Sequence, residues 1–525
     1  MNRVHILDCT LRDGGYCNQW EFGFDNTRKI VSGLIEANID IIECGFLTER
    51  ITYNKECTKF VSIEDMASVI PKDRKGKIIV AMVNYGEYEP ENLPEYDGSS
   101  IDGIRVAFHK RDLKAALQVC KKIKDKGYKV FVQAMVSLSY SDEEFLDMIQ
   151  KVNEMEPYAF YIVDSFGMMK AKDLTRLFYM VEHNLNEKIW IGFHSHNNMQ
   201  LAYSNAQTLV SIHTKRNIVI DSSVYGMGRG AGNLNTELFV EYLNENMGTN
   251  YELKPLLVII DEILNDVYQR NYWGYSLPNY LSASHHAHPE YAGYLDDKKT
   301  LTVENISEIF DMMDDERKLS FDKKYIEDLY LRYMKSGTVR DERNIAFKEK
   351  IKDKKVLLIA PGKSSSEEKN IIIDFIQSKE VITISVNFCY PYADVDYIFL
   401  SNLRRFKELN IKNREKAIVT SNISADDICF CVKYQELLNE EELVKDNAGM
   451  MAIKFLILNG VQEIYLAGFD GYSHDVKENY GERQMEIITR NTVLDAMNVG
   501  MGKIIKEYSQ KATIKFLTEP KHVRI

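Results

Sequence analysis

Short apolar runs alternate with longer amphipathic stretches along the first 224 residues of the chain. Eight runs are rich in β-branched residues: Val4–Leu11, Ile39–Phe46, Lys77–Asn84, Ile101–Phe108, Tyr128–Ser137, Ala159–Ser165, Ile189–Asn197 and Asn217–Val224. The stretches between them carry apolar residues at three- and four-residue spacing, which is typical of helices that bury one face. Eight strand–helix units close a parallel barrel, so the pattern predicts an α/β protein that begins with a (β/α)8 TIM barrel; a doubly wound open sheet is the alternative.

The alternation of strand-like runs with helical stretches ends near residue 237 and resumes near residue 355. Residues 246–345 have a helical pattern with an aromatic, His-rich stretch at 280–291, which predicts an accessory helical domain. The apolar run Val356–Ala360 then opens a second series of strand-like segments, and these predict a C-terminal Rossmann-like α/β domain over residues 355–525. The barrel domain is expected to span residues 1–245.

Composition and charge narrow the classes of partner. The 525 residues include 66 basic and 78 acidic side chains, for a net charge of -12, and no Lys/Arg-rich block stands out. A nucleic-acid partner is therefore not expected. No apolar run approaches the roughly 18 residues of a membrane span, and the N-terminus has no signal-peptide pattern, so a soluble cytoplasmic protein without a membrane partner is expected.

Polar side chains cluster where the predicted strands end, on the face that carries the active site in such barrels. His194 and His196 are alternate residues of the seventh predicted strand, so both rings point to the same side. Asp13 follows the first strand, which neighbours the eighth across the closing seam. Two imidazoles and one carboxylate with open coordination positions suit Mn²⁺, Mg²⁺, Fe²⁺ or Co²⁺ better than a closed zinc site. A hydrogen-bonded pair of core histidines is the alternative interpretation.

Four motifs follow one another in an order that matches a known family. They are Asp8–Gly15, Glu43, Gly192–Asn198 and Gly226–Asn233. Together they resemble the DRE-TIM metallolyase superfamily, which includes HMG-CoA lyase. The Gly226–Asn233 motif and the pair Asp164-Ser165 look closest to its 4-hydroxy-2-oxovalerate aldolase branch. The resemblance implies a lyase that uses a divalent metal ion, with Mn²⁺ or Mg²⁺ preferred. It further implies that a pyruvate-type 2-oxo acid and an aldehyde are the small-molecule partners, joined or cleaved through a metal-stabilised enolate.

The resemblance also assigns the metal ligands. Asp13, His194 and His196 would bind the ion, and Asn233 would be a fourth ligand unless it only caps a turn. Arg12 resembles the arginine that offsets charge on the enolate oxygen. Glu43 would orient the guanidinium of Arg12, and a purely structural salt bridge between Arg12 and Glu43 is the alternative.

Two further strand-end residues are candidate substrate contacts. Ser165 resembles the serine that helps to hold the substrate carboxylate, although a serine that bonds only to backbone is equally consistent with its position. His109 follows the fourth predicted strand and could touch the substrate, with a packed histidine as the alternative.

The general base does not follow the family pattern. The aldolase branch has a histidine three residues after the metal-binding aspartate, whereas this chain has Tyr16. The other candidates lie in the His-rich stretch, which would fold over the barrel mouth: His285, His286, His288 and Tyr291. Simple aromatic packing between helices is the alternative for that stretch.

The last third of the chain resembles bacterial sialyltransferase-like Rossmann domains at residues 384–388, 396–399 and 459–472. Gly362, Asn387, Gly449 and Asp470 are predicted at strand ends or helix starts, where backbone amides can hold a phosphate. These residues and the resemblance favour a nucleotide or nucleotide sugar as cofactor or substrate of this domain. A docking or dimerisation module is the alternative.

Three functions stay open for the barrel. The first is the aldolase, and the second is a Claisen-type acyltransferase that uses acetyl-CoA. The sequence Leu11–Tyr16 argues against the acyltransferase, because synthases of that kind carry Glu-Gln after the glycine. The third is a non-catalytic scaffold, which would have no need for Arg12, Asp13, His194 and His196 together. The aldehyde, the preferred ion and homo-oligomerisation are left open.

Overall fold

A computed structural model of the chain describes residues 3–335, 342–480 and 491–524. The chain folds into two compact units. The first consists of Met1–Glu290 with Asp315–Phe321, and the second of Tyr291–Asp314 with Asp322–Ile525. Among the described residues, no helix combines the length and the apolar character that a membrane crossing requires. The division into three consecutive domains stays a prediction.

The first unit is a closed parallel barrel. Its strands are β1 (Arg3–Asp8), β2 (Ile41–Leu47), β3 (Lys59–Phe60), β4 (Ile78–Asn84), β5 (Gly103–Phe108), β6 (Lys129–Ala134), β7 (Ala159–Asp164), β8 (Trp190–Ser195) and β9 (Asn217–Ser222). Strand β1 pairs with both β2 and β9, which closes a ring of eight strands. The two-residue β3 pairs with the end of β2 and lies outside this ring. The predicted TIM barrel is confirmed, since each predicted run overlaps one strand of the ring.

Amphipathic helices follow the strands. The helices of the first unit are Gly15–Asn18, Phe24–Glu36, Ile63–Ala67, Leu113–Asp125, Asp142–Met155, Ala171–Asn184, Ala202–Ser211, Thr236–Met247, Leu253–Ile259, Asn265–Arg270, Leu277–Ser284 and Asp315–Lys318, and Pro289–Asp297 begins in it. Leu113–Asp125 is representative, because its buried residues Ala116, Cys120 and Ile123 recur at the spacing of one helix face. Asp142–Met155 begins at a capping box in which Ser141 and Glu144 satisfy each other's backbone N–H groups.

The barrel interior is filled by a small apolar cluster that includes Leu7, Ile41, Val80, Phe131 and Tyr161. These residues alternate along their strands with neighbours such as Ile6 and Ile42, which pack in the larger cluster under the helices. Above this apolar layer, the strands end in polar and charged side chains.

The second unit contains a doubly wound parallel sheet. Its strands are β10 (Lys355–Ile359), β11 (Ile382–Val386), β12 (Tyr397–Leu400), β13 (Ala417–Thr420), β14 (Phe430–Val432), β15 (Glu463–Ala467) and β16 (Thr513–Phe516), in the order β14-β13-β12-β11-β10-β15-β16. The chain therefore reverses direction across the sheet at β10. This arrangement confirms the predicted Rossmann-like fold.

Helices flank this sheet and precede it. The helices of the second unit are Val303–Asp311, Lys323–Met334, Glu342–Ile351, Ser364–Glu367, Lys369–Ser378, Leu403–Glu408, Ile411–Arg414, Tyr434–Leu437, Ala448–Leu458 and Asn491–Tyr508, together with the end of Pro289–Asp297. Helices and no strands are found between residues 246 and 335 in the described structure, as predicted for the accessory region.

The packing of the barrel interior predicts that Gly192→Ala destabilises the first unit. A Cβ at Gly192 would lie 2.3 Å from the ring of Tyr161, which is fully buried and cannot move aside. Such overpacking costs about 1–3 kcal/mol of the free energy of unfolding. Urea unfolding monitored by tryptophan fluorescence measures it, because Trp20, Trp190 and Trp273 all belong to the first unit.

A double mutant separates this clash from other effects of the added methyl group. Replacing the ring in Tyr161→Leu makes room, so Gly192→Ala should cost less than half as much in that background. An equal cost in both backgrounds would show that the methyl group does not clash with Tyr161.

Candidate metal centre

The structure brings the three predicted metal ligands together. Asp13, His194 and His196 are buried, and each offers a ligand atom within 4.8 Å of the others. His194 lies on β8, and His196, two residues further along, comes directly after that strand, so their rings share a face and lie 5.1 Å apart. Asp13 is held in the turn after β1 by a hydrogen bond from its N–H to the carbonyl of Cys9.

The charges around the cluster keep its ligands in the forms that bind a metal ion. Burial by itself would raise the pKa of Asp13, but Arg12 and the neighbouring cations outweigh it and hold the pKa well below the usual range. Burial lowers the pKa of His196 to about 3, with Arg229 adding to this effect. At neutral pH the cluster therefore presents a carboxylate and a neutral imidazole.

His194 is oriented by a carboxylate behind it. Its Nδ1 lies 2.9 Å from Oδ2 of Asp221, at the end of β9. Because a carboxylate only accepts hydrogen bonds, Nδ1 donates the proton and Nε2 keeps its lone pair for a ligand. A carboxylate behind a ligating histidine is a recurrent feature of metal sites in proteins.

Asn233 completes the arrangement. Its Nδ2 donates to Oδ2 of Asp13 at 2.9 Å and to the carbonyl of Met227 at 3.2 Å. In the described part of the chain, neither Oδ1 of Asn233 nor Nδ1 of His196 has a hydrogen-bond partner, although both atoms are buried. Buried polar atoms without a partner are costly, and a divalent cation would satisfy such acceptor atoms. The residues present therefore fit a metal ion with Asp13, His194, His196 and Asn233 around it.

The glycine-rich loop after β9 approaches the cluster too closely for side chains. A Cβ at Gly228 would lie 2.4 Å from Nδ2 of Asn233 and 2.8 Å from Oδ2 of Asp13. Gly232 has a φ of +85°, and its Cβ would lie 2.0 Å from the carbonyl of Gly226. These glycines bring backbone against the site and do not form a dinucleotide loop.

A chain of buried ion pairs links the cluster to the barrel interior. Arg12 contacts Glu43 through Nε at 2.8 Å and Asp13 through Nη1 at 2.5 Å. Arg105 contacts the same Glu43 oxygen at 2.9 Å and pairs with Asp221 on its other side. These five side chains are at most 7% exposed. Three carboxylates against two guanidinium groups leave one negative charge uncompensated, which a divalent cation would offset.

Sequence reasoning assigned no role in the site to Arg105 or Asp221. A signal for Arg105 was present, because it is the only charged residue of β5, Gly103–Phe108. Arg229, in the glycine-rich loop, was also missed as a site residue. Arg229 Nη2 donates to the carbonyl of Ser165, and its Nη1 lies 3.1 Å from Nε2 of His288.

The predicted substrate contacts lie at strand ends of the barrel. Ser165 follows β7, and its Oγ accepts a hydrogen bond from the N–H of Val136 at 2.9 Å. Its own O–H has no acceptor among the described residues. His109 follows β5 and is half-buried, and burial lowers its pKa.

Two candidates for the general base, Tyr16 and His288, contact the same guanidinium, that of Arg229. Tyr16 packs against Trp20 and lies under the guanidinium of Arg229, and burial raises the pKa of its phenol. His288 contacts Arg229, and burial together with that cation holds its pKa well below the usual range. Tyr291 is fully buried in the second unit, where its hydroxyl accepts from the N–H of Asp322. The role of Tyr291 as a general base stays a prediction.

The neighbouring histidines of that stretch lie at a helix end. His285 is half-buried after Leu277–Ser284, and His286 is exposed with a φ of +57°.

In the second unit, one cavity of about 390 Å³ gathers the residues predicted for cofactor binding. Gly362, Asn387, Gly449 and Asp470 all line it. It lies at the carboxyl ends of β10, β11, β12 and β15. Asp470 is buried and accepts hydrogen bonds from the N–H and the hydroxyl of Ser364. Open α/β sheets bind their ligands in this crevice, where the strand order reverses.

The fold and the metal cluster define a class, the (β/α)8 barrels that carry a metal site at the carboxyl ends of their strands. Comparison with known proteins narrows this class to a family. Residues 106–262 match the family model described as HMGL-like. This match supports the resemblance to the DRE-TIM superfamily that the motifs of the barrel indicated.

Individual relatives match about half of the chain. The 4-hydroxy-2-oxovalerate aldolase of Pseudoalteromonas translucida (strain TAC 125) is 27% identical over 266 residues, which are 50% of this chain and 76% of that protein. The enzyme of the same name from Geobacillus genomosp. 3 is 29% identical over 248 residues, 46% of this chain and 70% of that protein. Among solved structures, Rhizobium etli pyruvate carboxylase has a TM-score of 0.50 at 14% identity, covering 67% of this chain and 38% of that one. This likeness concerns the fold alone.

The buried ion pairs predict that Arg105→Met strongly destabilises the first unit. The substitution leaves Glu43 and Asp221 as buried carboxylates without their shared cation, which costs about 3–5 kcal/mol of the free energy of unfolding. Urea unfolding followed by tryptophan fluorescence measures the loss. The control is Arg270→Met, whose side chain is 70% exposed and paired with Asp266, and which should change stability by less than about 0.5 kcal/mol. Similar values for the two variants would contradict the role given to Arg105.

Proposed function

We propose that the barrel is a divalent-metal-dependent aldolase that makes or breaks the carbon–carbon bond of a pyruvate-type 2-oxo acid. The observation that carries this proposal is the buried cluster of Asp13, His194 and His196 with the guanidinium of Arg12 beside it. The relatives named 4-hydroxy-2-oxovalerate aldolase support a lyase of this type. Mn²⁺ or Mg²⁺ is the proposed ion, since a carboxylate, an amide oxygen and open positions suit such cations.

In the proposed mechanism, a bound ion would supply a Lewis acid that polarises the 2-oxo group of the substrate. Asp13, His194, His196 and Asn233 Oδ1 would hold that ion. Arg12 is held on two edges by Glu43 and Asp13, while its Nη2 has no partner among the described residues. A fixed cationic donor of this kind stabilises negative charge that develops on an enolate oxygen.

Two side chains are suited to opposite proton-transfer roles. The raised pKa of Tyr16 keeps its phenol protonated at neutral pH, so Tyr16 is a proton donor in this proposal. The lowered pKa of His288 keeps its imidazole neutral, which is the form that accepts a proton. We assign His288 the removal of the proton from the substrate hydroxyl during cleavage, a role in which its Nε2 must exchange the contact with Nη1 of Arg229 for the substrate hydroxyl. Ser165 would donate its free O–H to the substrate carboxylate, and His109 lies on the same strand-end face.

Exchange of the methyl protons of pyruvate tests enolate formation without knowledge of the aldehyde. In D₂O with Mn²⁺ or Mg²⁺, NMR should show loss of the methyl signal, and EDTA should abolish it. Asp13→Asn should lower the exchange rate by at least about 100-fold, because it removes the anionic ligand. Asp147→Asn is the control, since Asp147 is on an outer helix, 56% exposed and paired with Lys151.

The outcomes separate the alternatives. Exchange that persists in Asp13→Asn would contradict the metal-enolate proposal. Release of CoA from acetyl-CoA in the presence of a 2-oxo acid would indicate the Claisen-type acyltransferase. Absence of both reactions, with a metal ion bound, would favour the scaffold.

We also propose that the cavity of the second unit binds a nucleotide or a nucleotide sugar. Gly362, Asn387 and Asp470 surround it at the point where the strand order reverses, and its volume suits a ligand of this size. Arg405 lines the same cavity with a side chain that is only 13% exposed, so it is a candidate phosphate contact.

Calorimetry with the full chain and CMP or UDP tests the nucleotide proposal. Loss of a charged hydrogen-bond donor in Arg405→Gln should weaken binding by about 10- to 100-fold. Arg414→Gln is the control, because Arg414 does not line the cavity and pairs with Asp427 elsewhere in the unit. No binding of either nucleotide to the wild-type chain, or equal binding by both variants, would contradict this assignment.

A further inference from the structure

Arg229 is a cation fixed beside the metal cluster. It lies between Gly228 and Gly230 in the glycine-rich loop, and its backbone N–H donates to Oδ2 of Asp13 at 3.3 Å. Gly230 has a φ of +67°, and a Cβ there would lie 2.6 Å from Oδ1 of Asn198. The backbone around Arg229 therefore has little freedom to take it away from the site.

The guanidinium of Arg229 contacts only neutral groups. Its Nη2 donates to the carbonyl of Ser165 at 3.1 Å, its Nη1 lies 3.1 Å from Nε2 of His288, and its Cζ lies 5.5 Å from the centre of the Tyr16 ring. Its Nε is buried and has no hydrogen-bond partner among the described residues. No carboxylate within the described ranges lies within ion-pair distance of this side chain.

The other arginines buried in the first unit behave differently. Arg12 pairs with Glu43 and Asp13, Arg105 pairs with Glu43 and Asp221, and Arg216 pairs with Glu182. A guanidinium taken from water without a counter-charge carries a desolvation cost that pairing normally offsets. Arg229 is half-buried and has no such ion pair in the described structure; its charge acts on Asp13 only through space, so its guanidinium is poised for an anion that comes from outside the protein.

The pyruvate half of the substrate already has its binding groups. In the proposed function, the metal ligands, Arg12 and the hydroxyl of Ser165 take the 2-oxo acid. Arg229 is an additional cation on the same face, and its charge lowers the pKa values of Tyr16, His109 and His288. A second anionic group on the substrate would meet it there.

We propose that Arg229 selects an aldehyde that carries its own negatively charged group, a carboxylate or a phosphate. This inference rests on the proposed aldolase function and adds the class of its second substrate. Arg229 is then a specificity-determining residue, since it would bind the part of the aldehyde away from the carbon that reacts. The bidentate donors of a guanidinium match both kinds of anion.

Aldol condensation of pyruvate with a set of aldehydes tests the inference. Propanal is the neutral probe, succinic semialdehyde the carboxylate probe and glyceraldehyde 3-phosphate the phosphate probe. The wild-type chain should show a kcat/KM at least about tenfold higher for one anionic aldehyde than for propanal, and the two anionic arms identify which anion is bound. In Arg229→Gln this ratio should fall by about 10- to 100-fold, and Arg229→Lys should retain part of it.

The matched control is Arg111→Gln. Arg111 follows β5 on the strand-end face, but its side chain is 73% exposed and pairs with Asp112. The discrimination between anionic and neutral aldehydes should therefore stay unchanged in this variant. Pyruvate methyl exchange is measured for every variant, which reports on the metal site without any aldehyde.

The results separate this inference from the function on which it rests. If the wild-type chain exchanges pyruvate but shows no preference for anionic aldehydes, or if Arg229→Gln keeps the preference, the inference is wrong and the aldolase proposal stands. It is also wrong if Arg229→Gln lowers kcat/KM equally for all aldehydes, or mainly raises KM for pyruvate in the exchange reaction. If the wild-type chain shows no exchange with any ion, the aldolase proposal fails, and the inference fails with it.

Discussion

The pairing of Arg105 with Glu43 and Asp221 is the interaction on which the barrel interior depends. Arg105 is fully buried, and its two partners come from β2 and β9, on different sides of β5 in the ring. A charge in that position is tolerated only if opposite charges reach it with good geometry. The strand-end layer can therefore form only when these strands are correctly registered, so the ion pairs couple closure of the barrel to assembly of the site.

The same ion pairs also position side chains of the metal site. Oδ2 of Asp221 accepts from both Arg105 and His194, while Glu43 fixes both Arg105 and Arg12. His194 and Arg12 are thus each held by a carboxylate, and both carboxylates are in turn held by Arg105. A site arranged in this way needs little reorganisation when charge develops on a substrate. The buried negative charge that remains gives a physical reason why a cation, and not a neutral molecule, fits beside Asp13.

Much of the fold could be predicted because the relevant signals are local. Strand positions follow from β-branched runs, and His194 and His196 share a face because alternate residues of a strand do. The partners of Arg105 could not be predicted in the same way. Periodicity tells which face a residue occupies, but it does not tell which side chain reaches it across the barrel. Strand β3 was missed because two residues are too few to form a pattern.

The His-rich stretch at 280–291 shows a different limit of sequence reasoning. The His-rich stretch was treated as one segment, yet the boundary between the compact units falls between Glu290 and Tyr291. His288 therefore reaches Arg229 in the barrel unit, whereas Tyr291 is buried in the other. Composition alone contains no signal for such a boundary, because both sides are equally aromatic. The glycine-rich loop, in contrast, serves the site in two ways. Gly228 brings its backbone against Asn233 and Asp13, and the same close approach positions Arg229 beside them. One loop thus shapes the metal site and places a cation next to it, and each requirement explains why glycines flank that arginine.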